Sequence, residues 1–144
     1  MRDIKFKGKR TGNGEWVFGD LIRVGKHVFI KPSNNEEPMD ALCRNDSCDL
    51  CAINTKAYRV DPATVGEYTG LKDKNGVEIY EGDICTMSRP CVLADVVITY
   101  ENAAFWGYQK EYETSYPLRN MRIDGFEIKV IGNVHDNPEL AKEA

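Results

Sequence analysis

Val65-Gly66-Glu67-Tyr68-Thr69-Gly70-Leu71-Lys72-Asp73-Lys74-Asn75-Gly76-Val77-Glu78-Ile79-Tyr80-Glu81-Gly82-Asp83-Ile84 holds four glycines and an Asn-Gly pair within twenty residues, with apolar residues set between them. Glycine and asparagine tolerate positive φ at little steric cost, so this density is turn chemistry rather than catalytic chemistry. Tyr68 to Leu71 and Val77 to Tyr80 are expected to pair across Asp73-Lys74-Asn75-Gly76. Glu81-Gly82-Asp83 reads as a second corner, which places structural turns at Gly70, Asn75, Gly76, Gly82 and Asp83. A calcium loop does not fit, because the acidic pattern and the flanking helices of such a site are missing.

Outward from this block the pattern is β almost throughout. Ile4 to Lys7 alternates with period two, and Thr11-Gly12-Asn13-Gly14 offers a reversal. Glu15 to Arg23 resumes the alternation, with Trp16, Phe18 and Ile22 on one face and Val17 and Leu21 on the other. Gly25-Lys26 predicts a hairpin turn before His27 to Lys31. From Pro32 to Lys56 the pattern dissolves into a cysteine-bearing loop of unusual length. Ala57 to Val60 reads as a short strand, after which Asp61 caps a brief turn opened by Pro62.

Beyond the block, Ile84 to Met87, Val92 to Tyr100, Phe105 to Lys110 and Glu127 to Val134 read as strands. Asp136 is expected to cap a short terminal helix, with Glu139 completing a capping box and Pro138 in the first turn. Residues 1–66 and 67–144 are expected to form two small β lobes, and the chain as a whole a mostly β protein.

Length and composition narrow the class. The chain has 144 residues, of which 42% are apolar and 29% charged, as in ordinary globular domains. A net charge of −4 gives no whole-chain attraction for phosphate backbones. No run approaches the roughly 20 apolar residues of a membrane-spanning helix. The first residues alternate charge with hydrophobes and lack the apolar core of a secretion signal, so cytoplasmic folding is expected. The five cysteines are then expected as thiols or metal ligands.

Four segments together resemble the YopX family of phage and prophage proteins. They are Lys5-Phe6-Lys7-Gly8-Lys9, Gly14 to Asp20, the Val65 to Ile84 block, and Val130-Ile131-Gly132-Asn133-Val134-His135-Asp136-Asn137-Pro138-Glu139-Leu140. The resemblance covers nearly the whole chain and departs in the cysteine loop and around Met87 to Arg122. It implies a C-terminal lobe built as an SH3-like, partly open barrel, a phage or prophage origin and a bacterial host cell. It carries no catalytic residue across.

Cys43, Cys48 and Cys51 form a C-x₄-C-x₂-C spacing whose second half matches the chelate of zinc sites. Zinc takes four ligands, and His27, Cys85, Cys91 and Asp49 are the candidates for the fourth. The alternative reading is reduced thiols packed as small hydrophobes.

For catalysis the chain offers two histidines, His27 and His135, no nucleophile elbow and no phosphate-binding glycine loop, so an enzyme is not expected. Tyr100, Trp106, Tyr108 and Tyr112 form an aromatic segment suited to a partner surface. With the basic residues Arg2, Lys5, Lys7, Lys9 and Arg10 they offer an alternative reading as a nucleic-acid-binding barrel. The leading expectation is a non-enzymatic protein-interaction or assembly module that self-associates and binds a phage or host protein. If the cysteine loop holds metal, elemental analysis of the purified protein gives one zinc per chain, and metal-free protein retires that reading.

Overall fold

The computed structural model describes residues 2–32 and 57–143, with the side chains of Arg122, Lys142 and Glu143 outside that description. The chain is mostly β and divides into two compact units, residues 1–67 and 68–144. Every strand pairing among the described residues is antiparallel.

The first unit holds β1 (Phe6–Lys9), β2 (Trp16–Val24), β3 (His27–Pro32) and β4 (Tyr58–Val60), hydrogen-bonded in the order β4-β3-β2-β1. Gly25, at φ +59°, turns β2 into β3 where the sequence places a hairpin. Alternation puts Phe6, Gly8, Val17 and Leu21 on one face, where they meet Val28, Ile30, Val60 and Val65. Gly8 is required there: a Cβ would stand 3.1 Å from the Val60 side chain and 3.2 Å from Ile30. The opposite face packs Phe29 and Ala57 with Ile22 and Val24.

The sheet curls until its first and last strands meet. Arg10 bridges Val60, the Thr11 N–H donates to the Arg59 carbonyl at 3.1 Å, and the Asp61 N–H donates to the Lys9 carbonyl at 2.9 Å. β3 and β4 are direct neighbours, with Ile30 opposite Tyr58 and Val28 opposite Val60. After β4 comes the predicted turn, a 3₁₀ turn at Pro62–Thr64. Asp61 Oδ1 accepts from the Ala63 N–H at 3.0 Å, as its N-cap position requires.

β5 (Gly66–Lys72) belongs to both units. Gly66 and Glu67 pair with Lys7 and Phe6, whereas Tyr68 and Lys72 pair with Tyr80 and Glu78 of β6 (Glu78–Tyr80). Between these pairs three residues on β5 therefore oppose one on β6, and the excess is a bulge with Gly70 at φ +85°. Gly70 is thus not a turn, as its sequence context indicated, but a bulge, stabilised by Thr69 Oγ1 donating to the Ile79 carbonyl at 2.7 Å. In the Asn75-Gly76 pair only Gly76 takes positive φ, +81°.

The second unit contains β7 (Asp83–Arg89), β8 (Val92–Glu101), β9 (Ala104–Gln109), β10 (Thr114–Pro117) and β11 (Glu127–Asn133) in the sheet order β10-β9-β8-β7-β11. The order leaves this sheet open at β10 and β11. The stretch 100–112, ambiguous in sequence, holds the end of β8, a turn with Asn102 and Ala103 both at positive φ, β9, and a 3₁₀ turn at Lys110–Tyr112.

One face of the sheet presents Cys85, Met87, Ala94, Val96, Ile98 and Ile128, covered by Leu118 and Met121 of α1 (Leu118–Ile123) and by Ile79. Gly107 lets α1 approach, because a Cβ there would strike the Met121 methyl. α1 ends in a Schellman-type cap, with Gly125 at φ +83° and the Phe126 N–H donating to the Met121 carbonyl at 2.9 Å. α2 (Pro138–Glu143) closes the chain. The expected capping box at Asp136 is replaced. Asn137 is the residue preceding the helix, and the Asp136 carboxylate accepts from Asn133 Nδ2 at 3.0 Å.

Asp73 ties these pieces together. It is 4% exposed; its Oδ1 accepts from the N–H groups of Asn75 (2.8 Å) and Val77 (2.9 Å), and its Oδ2 from Val130 of β11 (3.0 Å). Burial raises the carboxyl's pKa, but the three backbone donors outweigh it and leave it below its ordinary 3.8. A depressed carboxylate stabilises the fold above the unfolded value, and this contribution is lost as pH falls through the folded one. Asp73→Ala strands buried donors and is expected to cost about 2–4 kcal/mol at neutral pH, read by urea denaturation. The gap between wild type and Asp73→Ala narrows at pH 3, and an unchanged gap would overturn this account.

Candidate functional site

The aromatic segment does not form one platform. Trp106 and Tyr108 alternate onto the same face of β9, opposite to the face that holds Gly107 against Met121. Trp106 Nε1 donates to the Glu101 carbonyl at 2.9 Å, closing its own hairpin. Tyr100 pairs across strands with Phe105, with ring centroids 5.0 Å apart and nearly edge-on. Tyr112 lies in the 3₁₀ turn and is 67% exposed.

Cys43, Cys48, Cys51 and Asp49 lie outside the described residues. Of the remaining candidates for a fourth ligand, Cys85 is fully buried in the core of the second unit and Cys91 is exposed at the β7–β8 turn. His27 is engaged with Arg59. Among the described residues, no group of three or more His, Cys, Asp or Glu side chains gathers as a metal site.

The buried polar groups serve the backbone. Asp83 Oδ2 accepts from the Tyr80 N–H at 2.8 Å, and the Tyr80 hydroxyl reaches Glu78 at 3.4 Å. Burial first, and the Glu78 carboxylate second, push the Tyr80 pKa up, which keeps its hydroxyl protonated. Gly82, at φ +90°, donates to the Ile98 carbonyl at 2.8 Å and accepts from the Val134 N–H at 2.9 Å. These groups build corners and have their hydrogen-bonding capacity engaged in doing so.

A different set of side chains converges where β1 meets β4. An open cleft of about 420 Å³ is lined by Lys9, Arg10, Lys26, His27, Arg59 and Asp61 over a floor that includes Val28 and Val60. Lys9 comes from the end of β1, Lys26 from the β2–β3 turn, His27 from the start of β3, and Arg59 from β4. The Lys9 N–H donates to Thr64 Oγ1 at 2.9 Å and Thr64 Oγ1 donates to the Asp61 carbonyl at 2.7 Å, which fixes the wall beside Lys9.

Arg59 Nη2 lies 2.8 Å from His27 Nδ1. A guanidinium only donates, so Nδ1 is assigned as acceptor and the ring proton to Nε2. The Arg10 guanidinium carbon sits 4.1 Å from the Tyr58 ring centroid, and Arg10 Nη1 is 3.9 Å from Glu15. Among the described residues the only carboxylate lining the cleft is Asp61, which accepts the Ala63 N–H. Sequence listed Lys9 and Arg10 in a basic strand but did not join them to Lys26, seventeen residues after Lys9, or to Arg59, fifty residues after it.

Over the full sequence, residues 1–67 carry eleven Lys and Arg against ten Asp and Glu, and residues 68–144 carry eight against thirteen, so the acidity of the chain lies in the second unit. The second unit has its own exposed feature. Leu93 (75% exposed), Ile123 (81%) and Val92 (38%) lie at the end of the sheet where Arg89 reaches the Asp124 carbonyl at 3.4 Å and stacks 4.5 Å over Phe126. Val92 and Leu93 are the strand partners of Arg89 and Ser88.

The family model described as YopX protein matches residues 5–142. The crystal structure of protein EF1440 from Enterococcus faecalis is similar, with 26% sequence identity and a TM-score of 0.52, over 97% of this chain and 99% of that one. No curated protein matches. In the described residues no helix is long and apolar enough to cross a membrane.

Because Asp61 holds the turn that walls the cleft, Asp61→Ala is expected to lower stability by about 1 kcal/mol. Asp61→Asn, which keeps the capping oxygen, should melt close to wild type. Thermal denaturation of both variants checks this, and equal losses in the two would contradict the cap.

Proposed function

The chain belongs to the YopX family, and from that premise we propose that it is a non-enzymatic interaction module of phage or prophage origin, acting in the cytoplasm of a bacterial host. The observation that carries this reading is the exposed apolar group Val92, Leu93 and Ile123 at one end of the second unit. Side chains of this kind gain by leaving water against another protein surface and contribute nothing to bond-making chemistry. The buried carboxylates Asp73 and Asp83 support the same reading, since their oxygens are engaged with backbone donors.

The partner this surface fits first is a second copy of the chain. Exposed apolar side chains can pack against the same side chains of a second copy about a two-fold axis, whereas a cationic surface would repel its own copy. The open edge of the sheet at β10 offers backbone groups that a neighbouring strand pairs with. A phage or host protein presenting a similar apolar surface is the other partner class.

Sedimentation velocity over a concentration series tests the assembly. The wild type is expected to exceed the single-chain mass at high concentration, and Leu93→Asp combined with Ile123→Asp to remain a monomer. A wild type that stays monomeric throughout, or a variant that assembles equally well, would overturn the proposal.

A further inference from the structure

We propose that the cationic cleft of the N-terminal unit is a binding site for single-stranded nucleic acid, with phosphates held by Lys26, Arg59, Lys9 and Arg10. Among the described residues the cleft gathers four fixed cations and the His27 ring around one carboxylate, Asp61, whose Oδ1 accepts from the Ala63 N–H. Its volume of about 420 Å³ accommodates a nucleotide-sized group, and its open form admits a chain that continues past it. Since Nδ1 of His27 accepts from Arg59, its Nε2 N–H is a further donor for a phosphate or base oxygen.

A continuous strand, rather than an isolated phosphate, is favoured by what lies next to the cleft. Lys5, Lys7 and Lys9 alternate onto one face of β1, and Lys9 is shared with the cleft. Across the β1–β2 ladder Lys9 faces Trp16 and Lys7 faces Phe18, so cations and aromatic rings occupy the same face. The Lys7 ammonium lies 4.6 Å from the Trp16 ring centroid and that of Lys9 5.6 Å; Lys7 itself is buried and contributes field rather than contact. Phe18 is 46% exposed.

A positive groove interleaved with aromatic rings is the physical requirement for binding a single strand, whose backbone follows the charge and whose bases stack. Carboxylates border the track at Asp3, 3.7 Å from Lys5, and at Glu15 beside Arg10, so the positive field is concentrated at the cleft. The second unit sets the acidic sign of the chain and the first is close to neutral, so the positive charge is local to the cleft.

The test is fluorescence anisotropy with a labelled single-stranded oligonucleotide and the full chain, over a series of salt concentrations. Wild type is expected to bind with an affinity that falls steeply with salt. Lys26→Ala combined with Arg59→Ala, both exposed positions, is expected to weaken binding at least tenfold and to reduce the salt slope by about 1.4, two phosphates' worth. Phe18→Ala is expected to weaken binding severalfold while leaving the slope unchanged, as loss of a stacking surface does.

Circular dichroism and melting confirm that each variant is folded. If the double variant fails that check, Lys26→Ala alone carries the comparison, with a slope change of about 0.7. Absence of binding at low salt would overturn the proposal, as would variants that bind like wild type. So would poly-glutamate competing as well as the oligonucleotide at equal charge, which assigns the cleft to acidic protein segments. A mononucleotide or inorganic phosphate bound as tightly as the strand also overturns it, by assigning the cleft to a small ligand.

Discussion

A single buried carboxylate holds the second unit in register. Asp73 takes two N–H groups from its own turn and a third from Val130, fifty-seven residues later, so a local reversal and a long-range strand are fixed by the same two oxygens. The Lys74 N–H reinforces the link by donating to the Ile128 carbonyl at 2.9 Å. β11 then pairs with β7 along its length, which delivers Ile128 to the core and sends the chain to Gly82 through Val134. A carboxylate satisfied only by backbone donors cannot be exchanged for an apolar residue without stranding those donors. Conversely, its hydrogen-bonding capacity is already taken up by the fold.

The two units differ in the means by which they bury apolar surface, and that difference sets their surfaces. The first curls four strands until Arg10 meets Val60, and the seam gathers residues from β1, β4 and the β2–β3 turn. Long cationic side chains can cover such a seam with their stems while keeping their charges in water. The second unit remains an open sheet with α1 on one face, and its exposed features are apolar and sit at its end. The acidic whole-chain balance thus comes from the second unit.

Local chemistry was readable from the sequence, and convergence was not. Gly25, Gly76, Gly82 and the Asp61-Pro62 pair each act within a few residues, so their turns follow from residue type. Gly70 misled because a positive-φ glycine serves a bulge as readily as a turn, and only the β5–β6 pairing distinguishes them. The capping box failed for a similar reason: Asp136 found Asn133 as a partner, and the helix begins after Asn137. α1 is a single short stretch whose two core contacts, Leu118 and Met121, give too little periodicity to register. The cleft depends on Arg59 meeting His27 across thirty-two residues, a proximity that composition and spacing do not encode. Aromatic residues drew attention to 100–116, whereas Trp16 and Tyr58 are the rings the basic side chains in fact cover.

The pairing of β3 with β4 has an evolutionary side. Ile30 and Tyr58 are opposite one another in the ladder, so everything encoded between Pro32 and Ala57 departs from and returns to adjacent points of one frame. Closing a longer excursion between fixed ends costs only about 0.6 kcal/mol per doubling of its length. Chain-closure entropy therefore sets little limit on the length of that stretch of gene. The strands on either side are held to one another by their own pairing, whatever sequence runs between them.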